Sequence, residues 1–116
     1  WIGAGAGKSG ITYNYYITYK HASCEIYLDR GKEFVEPNIN KIRFDQLYKH
    51  KNKIEKEFGG KLNWYRLDDR RASAVNVRFE GIDLNDKEKW DKLQNKMIDT
   101  MIRLEKAFGK YIKSLE

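Results

Sequence analysis

Residues 11–29 read ITYNYYITYKHASCEIYLD, and the period of that stretch sets the architecture. Ile11, Tyr13, Tyr15, Ile17 and Tyr19 form one alternating set, and Thr12, Asn14, Tyr16, Thr18 and Lys20 form the other. Successive side chains of a strand point to opposite faces, so a period of two in β-branched and aromatic residues predicts a strand over 11–20. After a short connection at Lys20–His21 a second strand is predicted over 22–29. Ala22, Cys24, Ile26 and Leu28 share one of its faces, and Ser23, Glu25, Tyr27 and Asp29 share the other. Together the two strands predict a hairpin.

Downstream, residues 30–39 hold Gly31 and Pro37 and read as a loop. Phe44, Leu47, Ile54 and Phe58 then fall on one stripe of a helix, with Asn40 as its N-cap and Gly59-Gly60 as its stop. The period returns to two at Leu62, Trp64 and Arg66, set against Asn63, Tyr65 and Leu67. A polar hairpin tip comes next at Asp68–Arg71, and Val75, Val77 and Phe79 alternate after it. Asn85 with Glu88 resembles a capping box, and Trp90, Leu93, Met97, Met101, Leu104, Phe108 and Tyr111 make a long amphipathic helix. The order is ββα-ββα. His21-Ala22-Ser23 in the first half echoes Arg71-Ala72-Ser73 in the second. The expectation is an α+β domain: four mainly antiparallel strands carrying two amphipathic helices on one face, with a polar, aromatic face left open.

The chain has 116 residues, of which 41% are hydrophobic and 14% aromatic, enough for one core and one domain over 1–116. It begins at Trp1 within structured-looking sequence, which suggests the C-terminal domain of a longer protein. No apolar run approaches the ~20 residues of a membrane span. A single cysteine, Cys24, forms no internal disulfide and reads as a small core residue, which fits a reduced cytoplasmic setting. The formal net charge of +6 suits an acidic partner.

Chemistry-bearing motifs are few. Gly7-Lys8-Ser9 comes after Gly3 and Gly5, but the residue five before Gly7 is Ile2, so the phosphate-loop spacing fails. The segment after Ser9 is strand-like, whereas that motif needs a helix. A glycine-rich strand edge or loop is the better reading, and a nucleotide-dependent enzyme is the weakest option. Asp68-Asp69 and Asp29 offer carboxylates, yet Arg30, Arg70 and Arg71 beside them are ready ion-pair partners. His21 and His50 belong to no Ser–His–Asp set. Met97 and Met101 read as core packing. The sequence therefore implies no metal, no cofactor and no catalytic residue in this domain.

The cations are more informative. Lys41, Arg43, Lys49, Lys51, Lys53, Lys56 and Lys61 crowd the first helix and its exit, either as a solvated face or as a basic surface. On the sheet, Lys20, Arg66 and Arg78 stand near Tyr16, Tyr27 and Tyr65, with Arg70 and Arg71 at the hairpin tip. Rings that stack on bases, interleaved with cations that neutralise phosphates, make a nucleic-acid platform. Tyr and Arg also concentrate at protein interfaces.

Ile26-Tyr27-Leu28-Asp29, Phe44 with Leu47, Ile54-Glu55-Lys56-Glu57-Phe58-Gly59, Leu62-x-Trp64-x-Arg66 and Met101 through Phe108 carry a resemblance over nearly the whole chain. Together they resemble the prokaryotic domain-of-unknown-function family numbered 4268. That resemblance implies a position C-terminal to a PD-(D/E)XK nuclease-like module, whose carboxylates would lie outside these residues. The expected role is a non-catalytic accessory domain that contacts nucleic acid, with the nuclease-like module as a partner in cis. The alternative is a protein-interaction or homodimerisation module.

Overall fold

The structure, a computed structural model, describes residues 2–34 and 37–115. Residues 35 and 36 of the expected loop, and residue 1 of the glycine-rich start, lie outside them. Five strands form one antiparallel sheet: β1 (Ile2–Gly5), β2 (Ile11–Ile17), β3 (His21–Leu28), β4 (Asn63–Tyr65) and β5 (Ser73–Glu80). Their spatial order is β1-β2-β3-β5-β4. The helices are α1 (Ile39–Tyr48), α2 (Lys51–Phe58) and α3 (Lys87–Lys113), with a 3₁₀ turn at Lys32–Phe34.

The pairing register explains the sidedness. Tyr13, Ile26, Val75 and Trp64 lie opposite one another across β2, β3, β5 and β4, and Tyr15, Cys24 and Val77 form the next such row. These residues face the helices. Ala22, Cys24, Ile26, Leu28 and Val75 are fully buried against Phe44, Leu47, Ile54, Leu104 and Phe108. At roughly 25 cal/mol per Å² of apolar surface, the large aliphatic side chains among them contribute about 1.5–3 kcal/mol each. Trp64 joins Phe44, Tyr48 and Phe108 in an aromatic cluster with ring centroids 5.5–6.1 Å apart. The Cys24 thiol donates to the Met97 carbonyl at 3.3 Å, and burial pushes its pKa up to about 12, so it is a packed core group.

The structure departs from the sequence reading in four places. First, there are five strands rather than four. Glycine-rich β1 shows too few side chains for any alternation, yet it pairs with β2 from Ile2↔Tyr15 to Gly5↔Thr12. Gly7 and Gly10 adopt positive φ of 87° and 82° in the turn between them, a region glycine enters without strain. Lys8 donates to the Leu115 and Lys113 carbonyls, and the Ser9 carbonyl accepts from Arg43 at 2.6 Å. Gly7-Lys8-Ser9 is thus hairpin structure whose lysine satisfies the end of α3.

Second, the predicted first helix is two helices, broken at Lys49–His50. Leu47 and Ile54 are seven residues apart, a spacing that a continuous helix also satisfies, so the period hides the break. The His50 ring stacks on Tyr111 of α3 at 4.7 Å, a tertiary contact with no local signal. Third, the caps shift. Asn38 caps α1, and Asp86 caps α3 by accepting from the Lys89 N–H at 3.2 Å. Asn40 is instead fully buried, accepting from the Arg30 N–H at 2.9 Å and donating to the Arg71 carbonyl at 3.1 Å. Fourth, β2 stops at Ile17 because Thr18 builds the turn: its Oγ1 accepts from the Lys20 and His21 N–H groups.

Gly10 supplies the sharpest test of this frame. A Cβ there would lie 2.7 Å from the Arg30 Cα, at a φ of +82°. Gly10→Ala should lower unfolding free energy by at least about 2 kcal/mol, read as a fall in the urea midpoint at unchanged slope.

Candidate nucleic-acid interface

The helices pack on one side of the sheet, which leaves the other side uncovered among the described residues. On that open face, Thr12, Tyr27, Ala74 and Tyr65 form one row. Asn14, Glu25, Asn76 and Asn63 form the next, and Tyr16, Ser23 and Arg78 the third. Rows two residues apart stand about 7 Å from each other, and adjacent strands about 4.8 Å. Tyr27 and Tyr65 therefore flank small Ala74 with Cα atoms about 9.6 Å apart, while Tyr16 stands two rows away on β2.

The middle row is a polar strip. Asn63 Nδ2 donates to Asn76 Oδ1 at 3.1 Å, and Asn14 Nδ2 donates to the Tyr16 hydroxyl at 3.3 Å. Asn14 is only 1% exposed, and its Oδ1 has no hydrogen-bond partner among the described residues. Burial pushes the Glu25 carboxyl above its ordinary pKa, while hydrogen bonds from Asn76 and Tyr16 pull it down by less. Burial is also the main cause that raises Tyr27, with the Asp29 charge second. An ionised Glu25 in the centre repels phosphate. The middle of this face is thus aromatic and amide-lined, and its cations stand toward its ends.

The predicted cations separate. Arg78 lies on the open face beside Tyr16 and Ser23, but it is ion-paired with Glu80 at 2.5 Å. Lys20 sits in the exposed β2–β3 turn, at that same end of the sheet. Arg70 and Arg71 lie in the β4–β5 connection at the opposite end, where Ser73 pairs with Leu28. The intervening strands are about 24 Å long, so these arginines and Lys20 form no single cluster. Arg71 makes a bidentate pair with Asp29, 2.8 Å for each bond, and that bond is the main cause holding the Asp29 carboxyl below its usual range. Arg70 is exposed, with no ion pair among the described residues. Arg66 does not join the open face. It turns to the helix side and pairs with Asp45 of α1 at 2.9 Å and with Asp68. Its neighbour Tyr65 takes the open face, and successive strand residues must point opposite ways.

One cation outside the predicted set organises this end of the sheet. Lys41 of α1 directs its ammonium into the β4–β5 connection and donates to the Arg66, Leu67 and Ala72 carbonyls and to Ser73 Oγ. Ser73 Oγ in turn donates to the Arg66 carbonyl at 2.7 Å. Leu67, at φ 57°, is held in the left-handed region within this nest. Sequence reading placed Lys41 only in a basic helix, because the carbonyls it meets carry no side-chain signature. The amide row was equally hidden: Asn14, Glu25, Asn76 and Asn63 come together only once the register is known. No group of three or more His, Cys, Asp or Glu side chains is placed to hold a metal among the described residues. Of the ion-pair partners expected for Asp29 and the hairpin-tip acids, Arg71 pairs with Asp29, whereas Asp68 pairs with Arg66 instead. No helix among the described residues is long and apolar enough to cross a membrane.

The fold and its surfaces define a small α+β domain whose antiparallel sheet packs helices on one face and presents tyrosines and amides on the other. Residues 1–112 match the family described as a domain of unknown function (DUF4268), and the chain belongs to that family. No curated protein and no solved structure shows detectable similarity to it.

Two consequences follow from the electrostatics. Lys41→Met leaves three carbonyls and a hydroxyl without their shared donor and should cost about 2–4 kcal/mol in chemical denaturation. Glu25 has a folded pKa above its unfolded one, so ionising it costs stability, a cost absent at low pH and established as pH rises through the folded value. Glu25→Gln should therefore raise Tm at pH 7, and the gain should shrink as pH is lowered through and below the ordinary carboxylate range.

Proposed function

We propose that this chain is a non-catalytic accessory domain that contacts unpaired nucleic acid through its open sheet face. The observation that carries the reading is the placement of Tyr16, Tyr27 and Tyr65, with Arg78, on a face that no helix covers among the described residues. Rings on separate strands can each stack on a base, and base–aromatic stacking contributes about 1–3 kcal/mol per base. The amides of Asn63 and Asn76 lie between the rings and can meet base edges. Lys20 and Arg70, at opposite ends of the face, are the cations that can meet phosphates entering and leaving, with Arg71 and Arg78 available if they exchange their carboxylate partners. The nuclease-like module implied by the family resemblance, joined in cis, supplies a setting in which an unpaired strand would be held for chemistry performed elsewhere in the protein.

Fluorescence anisotropy with labelled single- and double-stranded DNA and RNA, repeated across salt, tests the reading. The expected result is micromolar or tighter single-strand binding that weakens with salt and falls at least tenfold in Tyr16→Ala/Tyr27→Ala/Tyr65→Ala. Unchanged single-strand affinity in that variant would refute the sheet-face assignment.

A second reading, an interaction or homodimerisation module, has its own observation. Exposed Ile17 and Ile98 line an apolar groove of about 320 Å³ between β2 and α3, together with Tyr15. Light scattering across a concentration series decides it: a mass that stays monomeric rules out the homodimer.

A further inference from the structure

The side of the domain opposite the open sheet face carries a second feature that the tyrosine platform does not use. α2 packs beside the C-terminal half of α3, and a furrow runs along their junction. One stretch of it, about 420 Å³, is lined by Lys53, Lys56, Glu57, Lys110 and Tyr111. Tyr111 also lines a neighbouring depression of about 390 Å³ beside Lys49. Four ammonium groups, those of Lys49, Lys53, Lys56 and Lys110, therefore border the furrow. The carboxylate there is Glu57, paired with Lys110 at 3.4 Å; buried Glu55 lies on the other flank of α2, its Oε1 3.8 Å from Lys61. Lys53 and Lys56 are exposed and have no ion pair among the described residues. The contrast with the sheet is direct, since Arg66, Arg71 and Arg78 there are each already matched by a carboxylate.

The furrow is built rather than incidental. Glu55, the other acid of α2, is turned inward and adds no surface charge to the helix. Its Oε2 accepts from the Leu62 N–H at 2.8 Å and from Trp64 Nε1 at 3.4 Å. Burial works to raise its pKa, but those two bonds and the charges of Lys61 and Lys51 outweigh it, so the carboxyl stays ionised and occupied in the interior. The surface outside keeps a cationic excess. Tyr111 and His50, stacked at 4.7 Å, form a wall between the two depressions. The eight residues of α2 rise about 12 Å, a length over which one strand of a duplex presents roughly three to four phosphates.

We infer that the α2–α3 furrow is a second, independent surface that binds the phosphate backbone of duplex nucleic acid without reading its sequence, on the side of the domain away from the tyrosine platform. Lysines suit such contacts, because compact, rotatable point charges neutralise phosphates without fixing a register. The rings that border the furrow, His50 and Tyr111, stack on each other, so the surface favours backbone over unstacked bases. Because the two surfaces lie on opposite sides of the sheet, duplex binding here is expected whether or not the sheet-face reading holds.

The test is anisotropy with a labelled 20-base-pair duplex and a labelled single strand, on the full chain. The variants are Lys53→Glu/Lys56→Glu/Lys110→Glu, the matching Lys→Arg triple, and the tyrosine triple. Circular dichroism confirms folding of each. Charge reversal should weaken duplex binding at least tenfold and flatten the log Kd against log salt slope by about 2–3, since each phosphate contact contributes about 0.9. The Lys→Arg triple should bind the duplex as the wild type does, and so should the tyrosine triple. Wild-type protein that fails to bind duplex at low salt, or duplex affinity that survives charge reversal, overturns the inference. Loss of duplex binding in the tyrosine triple would also overturn it, by showing one shared surface. Binding of the furrow to anionic vesicles but not to duplex would assign it to a membrane surface instead and equally refute the proposal.

Discussion

Every face of this domain is tied to the register of β3. It is the central strand, paired from Ala22 to Leu28 with β2 on one side and from His21 to Leu28 with β5 on the other. Its even-numbered residues, Ala22 to Leu28, are fully buried under the helices, while Ser23, Glu25 and Tyr27 stand on the open face. A slip of one residue would exchange the two sets, bringing Glu25 into the hydrophobic core and Ile26 into water. Core and candidate interface are therefore two sides of one alternation. The same pairing that gathers Ile26 with Val75 and Tyr13 also gathers Glu25 with Asn14 and Asn76.

A second layer of interactions fastens the helices to this sheet through backbone carbonyls. Lys41 gathers the β4–β5 connection, Asn38 and Asn40 both donate to the Arg71 carbonyl, and Arg103 of α3 donates to the Phe58 carbonyl at the end of α2. Each replaces water at a carbonyl that a loop or helix end would otherwise leave unpaired. The arrangement has a chemical consequence. Lys41 and the amides at the β4–β5 end hold the loop, and Arg66 and Arg71 are committed to Asp45 and Asp29. Lys53 and Lys56 of α2, like Lys20 and Arg70 at the ends of the sheet, keep exposed charge with no ion pair among the described residues. Ionic structure within the fold, as much as composition, thus decides where an anionic partner can be met.

How much of this was legible in the sequence depends on where each signal resides. Alternation in 11–29 and 73–80 and helical spacing in 87–113 are local, and they placed the long strands, α3 and the buried face of β3 correctly. β1 was legible only as one of two options, a glycine-rich strand edge or a loop, because Gly3, Ala4 and Gly5 carry no pattern and the strand exists only through pairing with β2. The break at Lys49–His50 was not legible either, since a stack on Tyr111, far along the chain, accompanies it and no glycine or proline marks it. The tyrosines of the candidate interface were visible as members of alternating sets, and they do share a face. The arginines divide: Arg78 shares the tyrosine face, Arg66 is one residue from Tyr65 and must point away from it, and hairpin-tip Arg71 pairs with Asp29 across the fold. Neither the amide row nor the Lys41 nest has a sequence signature, because each is assembled from residues on separate elements.

If the two sides of the sheet are chemically distinct and the tyrosine side meets unpaired bases, a bound strand must leave its mark on one side only. A titration of the ¹⁵N-labelled chain with an unlabelled single-stranded oligonucleotide, followed by amide chemical-shift changes residue by residue, reads this out. Shifts should concentrate at Tyr16, Glu25, Tyr27, Tyr65, Asn76 and Arg78, with α2 and the end of α3 changing little at moderate salt. Shifts confined to the lysines of α2 and α3, or none at all, would contradict the assignment of the tyrosine face.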